Sequence, residues 1–201
     1  MFTPELPNRA KGNLSLIQPA DPATANDSVR VEVLAAAHDQ ESVVANLFEL
    51  YAYDLSEMFD LHLRPDGRYG YQSLPLYWSE PSRFPLLIEV EKCLAGFALV
   101  SRGSLISGDQ DVWDMAEFFV LKRYRRTHVG AKAAHEIWSR FPGRWEVRVL
   151  EANKPAMMFW QATIASFTGA ATHPVPIQQG GKPRLCFAFT CAGSVAANGF
   201  R

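Results

Sequence analysis

Asp114 and Glu117 share one short apolar stretch, Trp113-Asp-Met-Ala-Glu-Phe-Phe-Val120, and two arginines, Arg125 and Arg126, follow shortly after it. An acidic side chain set among apolar ones, as Glu117 is in Ala-Glu-Phe-Phe, is costly unless it has a partner or a role, and a general base is such a role. Odd spacing puts the two carboxylates on opposite faces of a regular strand, so only one faces a given side unless a bulge intervenes. Glu117 is preferred over Asp114 as the base, and a merely hydrogen-bonded strand carboxylate is the competing reading for each. Beyond the stretch, Arg125-Arg126-Thr127-His128-Val129-Gly130-Ala131 leads into a helix. Its free backbone N–H groups, with guanidinium groups beside them, favour a phosphate-bearing ligand, although the same parts also make an ordinary scaffold turn.

The elements that must position these residues follow from periodicity. Aromatic and β-branched residues up to Val120 predict a buried strand, and Ala134, Ile137, Trp138 and Phe141 follow helical spacing from Val129. Gly143 marks the helix stop, and Trp145-Glu-Val-Arg-Val-Leu150 alternates as a second strand, closing a β-α-β unit with parallel strands. Neither the G-x-G-x-x-G nor the G-x-x-x-x-G-K-[ST] phosphate motif is present.

The loop resembles the coenzyme loop of the GNAT superfamily of N-acetyltransferases, [QR]-x-x-G-x-[GA] after a strand that ends in an apolar residue. Arg125, Gly130 and Val120 stand in place, and His128 takes the position of the first glycine. Glu151-Ala-Asn153-Lys-Pro-Ala156-Met-Met-Phe159-Trp160 is similar to the family's N-x-x-A-x-x-[FL]-Y segment, with Trp160 in place of the tyrosine. The resemblance implies a mixed α/β (α+β) fold, a central and mostly antiparallel twisted sheet with one parallel, splayed strand pair and flanking helices. It implies acetyl-CoA as acyl donor, held by Phe119, Val120, Leu121, Arg125, Arg126, Thr127, His128, Val129, Gly130, Ala131, Asn153, Ala156 and Trp160. It further implies transfer to a primary amine by direct attack, the acceptor being a small amine-bearing metabolite or antibiotic. A protein N-terminus as acceptor is one alternative; a non-catalytic acyl-CoA-binding or interaction module is the other, motivated by His128 in the loop and by Trp160, whose indole cannot serve as the acid that the family's tyrosine supplies.

The remaining sequence is read as support. The helical stripe Val43, Val44, Leu47, Phe48 and Tyr51 follows Asp39, a plausible N-cap, and Asp54 to Leu61 forms a second helical segment. Asp54, Glu57, Asp60, Asp66 and Glu80 would draw a cationic acceptor or simply face solvent. From Leu63 to Phe84 runs a long loop rich in Pro and Gly, whose Tyr69, Tyr71, Tyr77 and Trp78 either wall a substrate pocket or cover the sheet edge. Val29 to Val33, Pro85 to Val90 and Leu94 to Val100 read as strands, the last two joined by a turn at Glu91-Lys92. A helix begins near Pro155 and stops near Gly169, and two strands close the domain.

A hydrophobic content of 48%, charged content of 20% and net charge of -1 describe an ordinary globular chain without the basic surplus of a general nucleic-acid binder. No stretch approaches the roughly 20 apolar residues of a membrane span, and no secretory signal is visible at Met1, so a cytoplasmic location is expected. Cys93, Cys186 and Cys191 read as small buried hydrophobes, and the 5 histidines lack ligand spacing, so no metal is expected. Residues 1–28 read as an extended or mobile arm, residues 29–191 as one domain and 192–201 as a tail. A strand that the arm exchanges within a homodimer is the alternative for it.

Overall fold

The computed structural model describes residues 29–192, so the arm and nearly all of the tail lie outside the described residues. Seven strands form one sheet in the order β1-β2-β3-β4-β5-β7-β6. They are β1 (Val31–Ala35), β2 (Arg83–Val90), β3 (Cys93–Arg102), β4 (Val112–Val120), β5 (Gly143–Leu150), β6 (Val175–Gln179) and β7 (Lys182–Cys191). Every neighbouring pair is antiparallel except β4 and β5, which run parallel. The parallel pair is the product of the expected β-α-β unit, with α3 (Val129–Arg140) as its crossover. The β2–β3 hairpin turns at Glu91 and Lys92, both with positive φ (50° and 63°), as a two-residue turn matched to strand twist requires.

Helices cover both faces. On one face α3 and α4 (Lys154–Thr168) bury Val129, Ile137, Trp138, Trp160 and Ile164 against Met115, Val120, Trp145, Val147 and Phe187. On the other, α1 (Glu41–Phe59) packs Val44, Leu47, Phe48 and Ala52 against Leu87, Phe97, Leu99 and Phe119, with the short α2 (Leu76–Ser79) contributing Tyr77. The two helical segments expected before residue 61 are one helix, because apolar positions continue on the same stripe past Tyr53. Asp39 is not its N-cap: residues His38–Gln40 form a 3₁₀ turn, and the Gln40 side chain accepts from the Ala37 N–H at 3.0 Å. Of the cysteines, Cys186 and Cys191 are buried, but Cys93 is exposed at the start of β3, where it meets no core.

Two irregularities decide what the sheet can do. The ladder between β4 and β5 runs only from Val112↔Arg144 to Met115↔Val147, after which the strands part. Opposite β3, Leu99 pairs with Glu117 while Val100 pairs with Met115, so Ala116 is an extra residue, a β-bulge. Before the bulge Trp113 and Met115 face α3 and α4; after it Phe118 and Val120 do. Asp114 and Glu117 therefore both turn to the α1 face, which regular alternation forbids.

Candidate active site

A cavity of about 610 Å³ occupies the split, lined by Asp114, Glu117 and Phe118 of β4 and by Arg148 and Val149 of β5. It reaches from the α1 face, where Tyr51 lines it, through the split to Asn153, Ala156 and Trp160 of α4. Arg148 stands on the α1 side because Trp145, Val147 and Val149 take the opposite one.

The two carboxylates have opposite surroundings. Asp114 is 0% exposed and accepts a two-point contact from Arg148, Nε to Oδ1 at 3.1 Å and Nη2 to Oδ2 at 2.6 Å. Burial pushes the Asp114 carboxyl up and the Arg148 guanidinium pulls it back, while Arg148 in turn gives Nη1 to the Gln179 side chain at 2.6 Å. Glu117 has no such fork. Desolvation raises its pKa to about 7, and the adjoining Tyr51 hydroxyl and the more distant Arg148 and Arg184 charges only partly offset that rise. Burial and the Glu117 charge together push the Tyr51 phenol well above its ordinary value, which leaves it protonated at neutral pH.

The coenzyme-loop residues use their side chains mainly within the protein. Arg125 gives Nε to the Val120 carbonyl at 2.7 Å and Nη2 to Asp54 at 2.5 Å, and its guanidinium carbon lies 5.4 Å from the centre of the Phe119 ring. Lys122 joins Asp54 at 3.0 Å, so Asp54 locks α1 to the end of β4 and is not a free acid for an acceptor. Phe119 is buried in the α1-side core and Val120 in the other, with Leu121 packed at the edge of the first. Thr127 closes the turn through Oγ1 to the Tyr124 carbonyl at 2.7 Å. Arg126 and His128 both have φ of 63°. His128 is the N-cap of α3 with a left-handed backbone, which explains why a glycine suits that position. A Cβ at Gly130 would stand 3.1 Å from the Phe159 ring, so this glycine lets α3 approach α4 closely. Val129 is buried beneath the loop, and Ala131 lies in the first turn of α3.

On the other lip, Asn153 caps α4 by accepting the Ala156 N–H at Oδ1, 3.1 Å, which accounts for the Asn-x-x-Ala spacing. Trp160 is 6% exposed and packs edge-on against Phe118 at 5.0 Å between ring centres, a wall of the cavity. In the long loop, Tyr69, Tyr71 and Tyr77 line the cavity, Tyr71 stacked on Phe48 at 4.6 Å. Desolvation lifts the Tyr71 hydroxyl to about 12. Trp78 is not among the lining residues: its indole N–H is spent on the Ala36 and Ala37 carbonyls at 2.9 and 3.1 Å, anchoring the loop to the segment that leaves β1.

Sequence reasoning passed over Tyr51, Arg148 and Arg184. Tyr51 read as one member of a core stripe. Arg148 lay within an alternating strand and Arg184 within the closing strands, with no role given to either, and only the pairing of β5 with β4 and β7 brings them to the cavity.

A mostly antiparallel sheet that parts at its single parallel pair, between flanking helices, is the GNAT-type architecture that the two motifs implied. The chain belongs to the acetyltransferase (GNAT) family, whose sequence profile matches residues 47–163, and it is an acyltransferase by that membership. No curated protein sequence matches it. Among solved structures it is similar to an acetyltransferase from Thermus thermophilus, with 12% identity, a TM-score of 0.60 and coverage of 81% of this chain and 98% of that one. It is also similar to the aminoglycoside acetyltransferase AAC(6')-Ib in complex with coenzyme A, at 12% identity, TM-score 0.59, and coverage of 80% and 95%. A third is yncA of Salmonella typhimurium with its cofactor acetyl-CoA, at 9% identity, TM-score 0.56, and coverage of 84% and 98%. At these identities the likeness is one of fold. Among the described residues no helix is long and apolar enough to cross a membrane, and no group of three or more His, Cys, Asp or Glu is placed to hold a metal ion.

Proposed function

We propose that the protein transfers the acetyl group of acetyl-CoA to the primary amine of a small molecule by direct attack, with Glu117 as general base. The observation that carries this is the Glu117 carboxyl: it lines the cavity where β4 leaves β5, without the arginine fork that Asp114 has, and its pKa is raised to about 7. An alkyl ammonium with a pKa near ~10.4 must lose a proton before it can attack, and a base that titrates near neutrality is suited to take it. The amine nitrogen then bonds to the acetyl carbon, the carbon–sulfur bond breaks with its electron pair going to sulfur, and the nitrogen's second proton ends on the thiol. Water suffices for that last delivery, since a thiol of pKa ~8.5 is a tolerable leaving group. Trp160 need not supply it.

Acetyl-CoA fits the residues present. Among the described residues the β5-side backbone edge of Ala116 to Phe119 has no strand partner, which suits an extended pantetheine arm, and the helix start at His128 to Ala131 suits the pyrophosphate. The cavity of about 610 Å³ must take the acyl end of the donor as well as the acceptor, which suits a small acceptor, and the fold likeness to an aminoglycoside acetyltransferase supports that class.

Calorimetric titration with acetyl-CoA, followed by thiol-release assays over an amine panel, tests the reading. Saturable binding with amine-dependent thiol release is expected. Binding without release from any amine would favour a non-catalytic acyl-CoA-binding module, and absence of binding would leave only the fold.

A further inference from the structure

The ionisable residues that line the cavity are mostly matched. Glu80 accepts from Arg83 at 2.5 Å, Arg102 pairs with Asp111 at 2.8 Å, and Arg148 is forked onto Asp114. Two lining groups stand apart from these pairs, close enough to feel each other's charge but not joined: the Glu117 carboxyl and the guanidinium of Arg184, which comes from β7, the strand next to β5. Arg184 forms no ion pair and its Nε is buried without a hydrogen-bond partner among the described residues. Its guanidinium carbon lies 5.5 Å from the centre of the Phe59 ring, and a guanidinium covered by an aromatic ring keeps its N–H edge for an in-plane acceptor. Burying a guanidinium N–H without an acceptor is costly, and a fork of that kind matches a carboxylate or a phosphorus oxyanion.

Resting on the acetyl-transfer reading, we infer that the acceptor is an amine that also carries an oxyanion, an amino-acid-like molecule whose anionic group Arg184 binds while its nitrogen lies at Glu117. Neither group has an ion-pair partner among the described residues, and each then gains one on the same molecule. Such an acceptor differs from a polycation, which the acids of α1 and the long loop would have been needed to draw. Of those acids, Asp54, Asp66 and Glu80 are already taken up by Lys122, Arg125, Arg64 and Arg83.

The test measures kcat/KM for matched acceptors: L-amino acids against their carboxamides, aminoalkylphosphonates against the corresponding alkylamines, and spermidine and kanamycin as cations. The native protein is expected to prefer at least one anionic acceptor over its neutral match by about 100-fold. The arms separate a carboxylate from a phosphonate. In Arg184→Gln that ratio is expected to fall towards one, carried by KM, and Arg184→Lys is expected to restore part of it. Because the preference is first read on the native protein, a misfolded variant does not remove the test. Turnover confined to neutral or polycationic amines, or an unchanged ratio in a folded Arg184→Gln, overturns the inference and leaves acetyl transfer standing. Failure to bind acetyl-CoA overturns both.

Discussion

The two halves of β4 carry the same chemical group to opposite ends. In the half laddered to β5, Asp114 meets an arginine from the neighbouring strand and becomes part of the sheet's internal fastening. In the half that has left β5, Glu117 finds no arginine fork among the described residues, and burial holds its pKa near 7. A carboxylate on a strand is therefore not reactive or structural by its type. What decides is whether the next strand is still alongside to answer it.

Changes that exchange these two conditions should have the largest effects. Arg148→Leu would leave Asp114 buried and unanswered, a loss of about 3–5 kcal/mol in urea unfolding, and adding Asp114→Leu should recover most of it. If Arg148→Leu alone cost nothing, the fork would not be fastening the sheet. Next comes Glu117→Gln, for which kcat should fall by about 100-fold or more while the acetyl-CoA Kd, read by calorimetry, stays the same. In the native protein the rate should rise with pH through about 7 as the base ionises, and that limb should vanish in the variant.

The same substitution should stabilise the fold in a pH-dependent way. Glu117 has a raised folded pKa, so stability is intact below the ordinary value of 4.5, declines as pH climbs towards about 7, and carries the whole cost above it. Glu117→Gln should therefore gain about 3 kcal/mol over the native protein at pH 8 and almost nothing at pH 4, measured by urea unfolding at both. The smallest effect concerns the loop beneath the split. His128→Gly should stabilise by about 1 kcal/mol, since His128 holds a left-handed backbone that glycine adopts freely. A destabilised His128→Gly would mean that the imidazole itself supports the loop.

Much of this molecule could be read from its residues, and the boundary of what could is physical. The β-α-β unit and the Glu91-Lys92 turn announce themselves because each is made by residues close in sequence. The bulge at Ala116 does not, since Met-Ala-Glu carries no glycine or proline to mark it and the extra residue is defined only against β3. Arg148 and Arg184 were hidden for a similar reason: an alternating strand shows which residues share a face, but not what the partner strands put there. Even Arg125, which the motif singles out, has its guanidinium committed to Val120 and Asp54, a commitment settled by the docking of α1 from far along the chain.

The bulge also makes the register of the site a matter of counting. A strand is a two-beat pattern, and one supernumerary residue shifts its phase for everything downstream. Upstream of Ala116 the even positions look towards α1; downstream the odd ones do. An insertion or deletion of a single residue in this strand would thus exchange which side chains meet the acceptor and which meet the core, with no loop altered and no new residue type introduced.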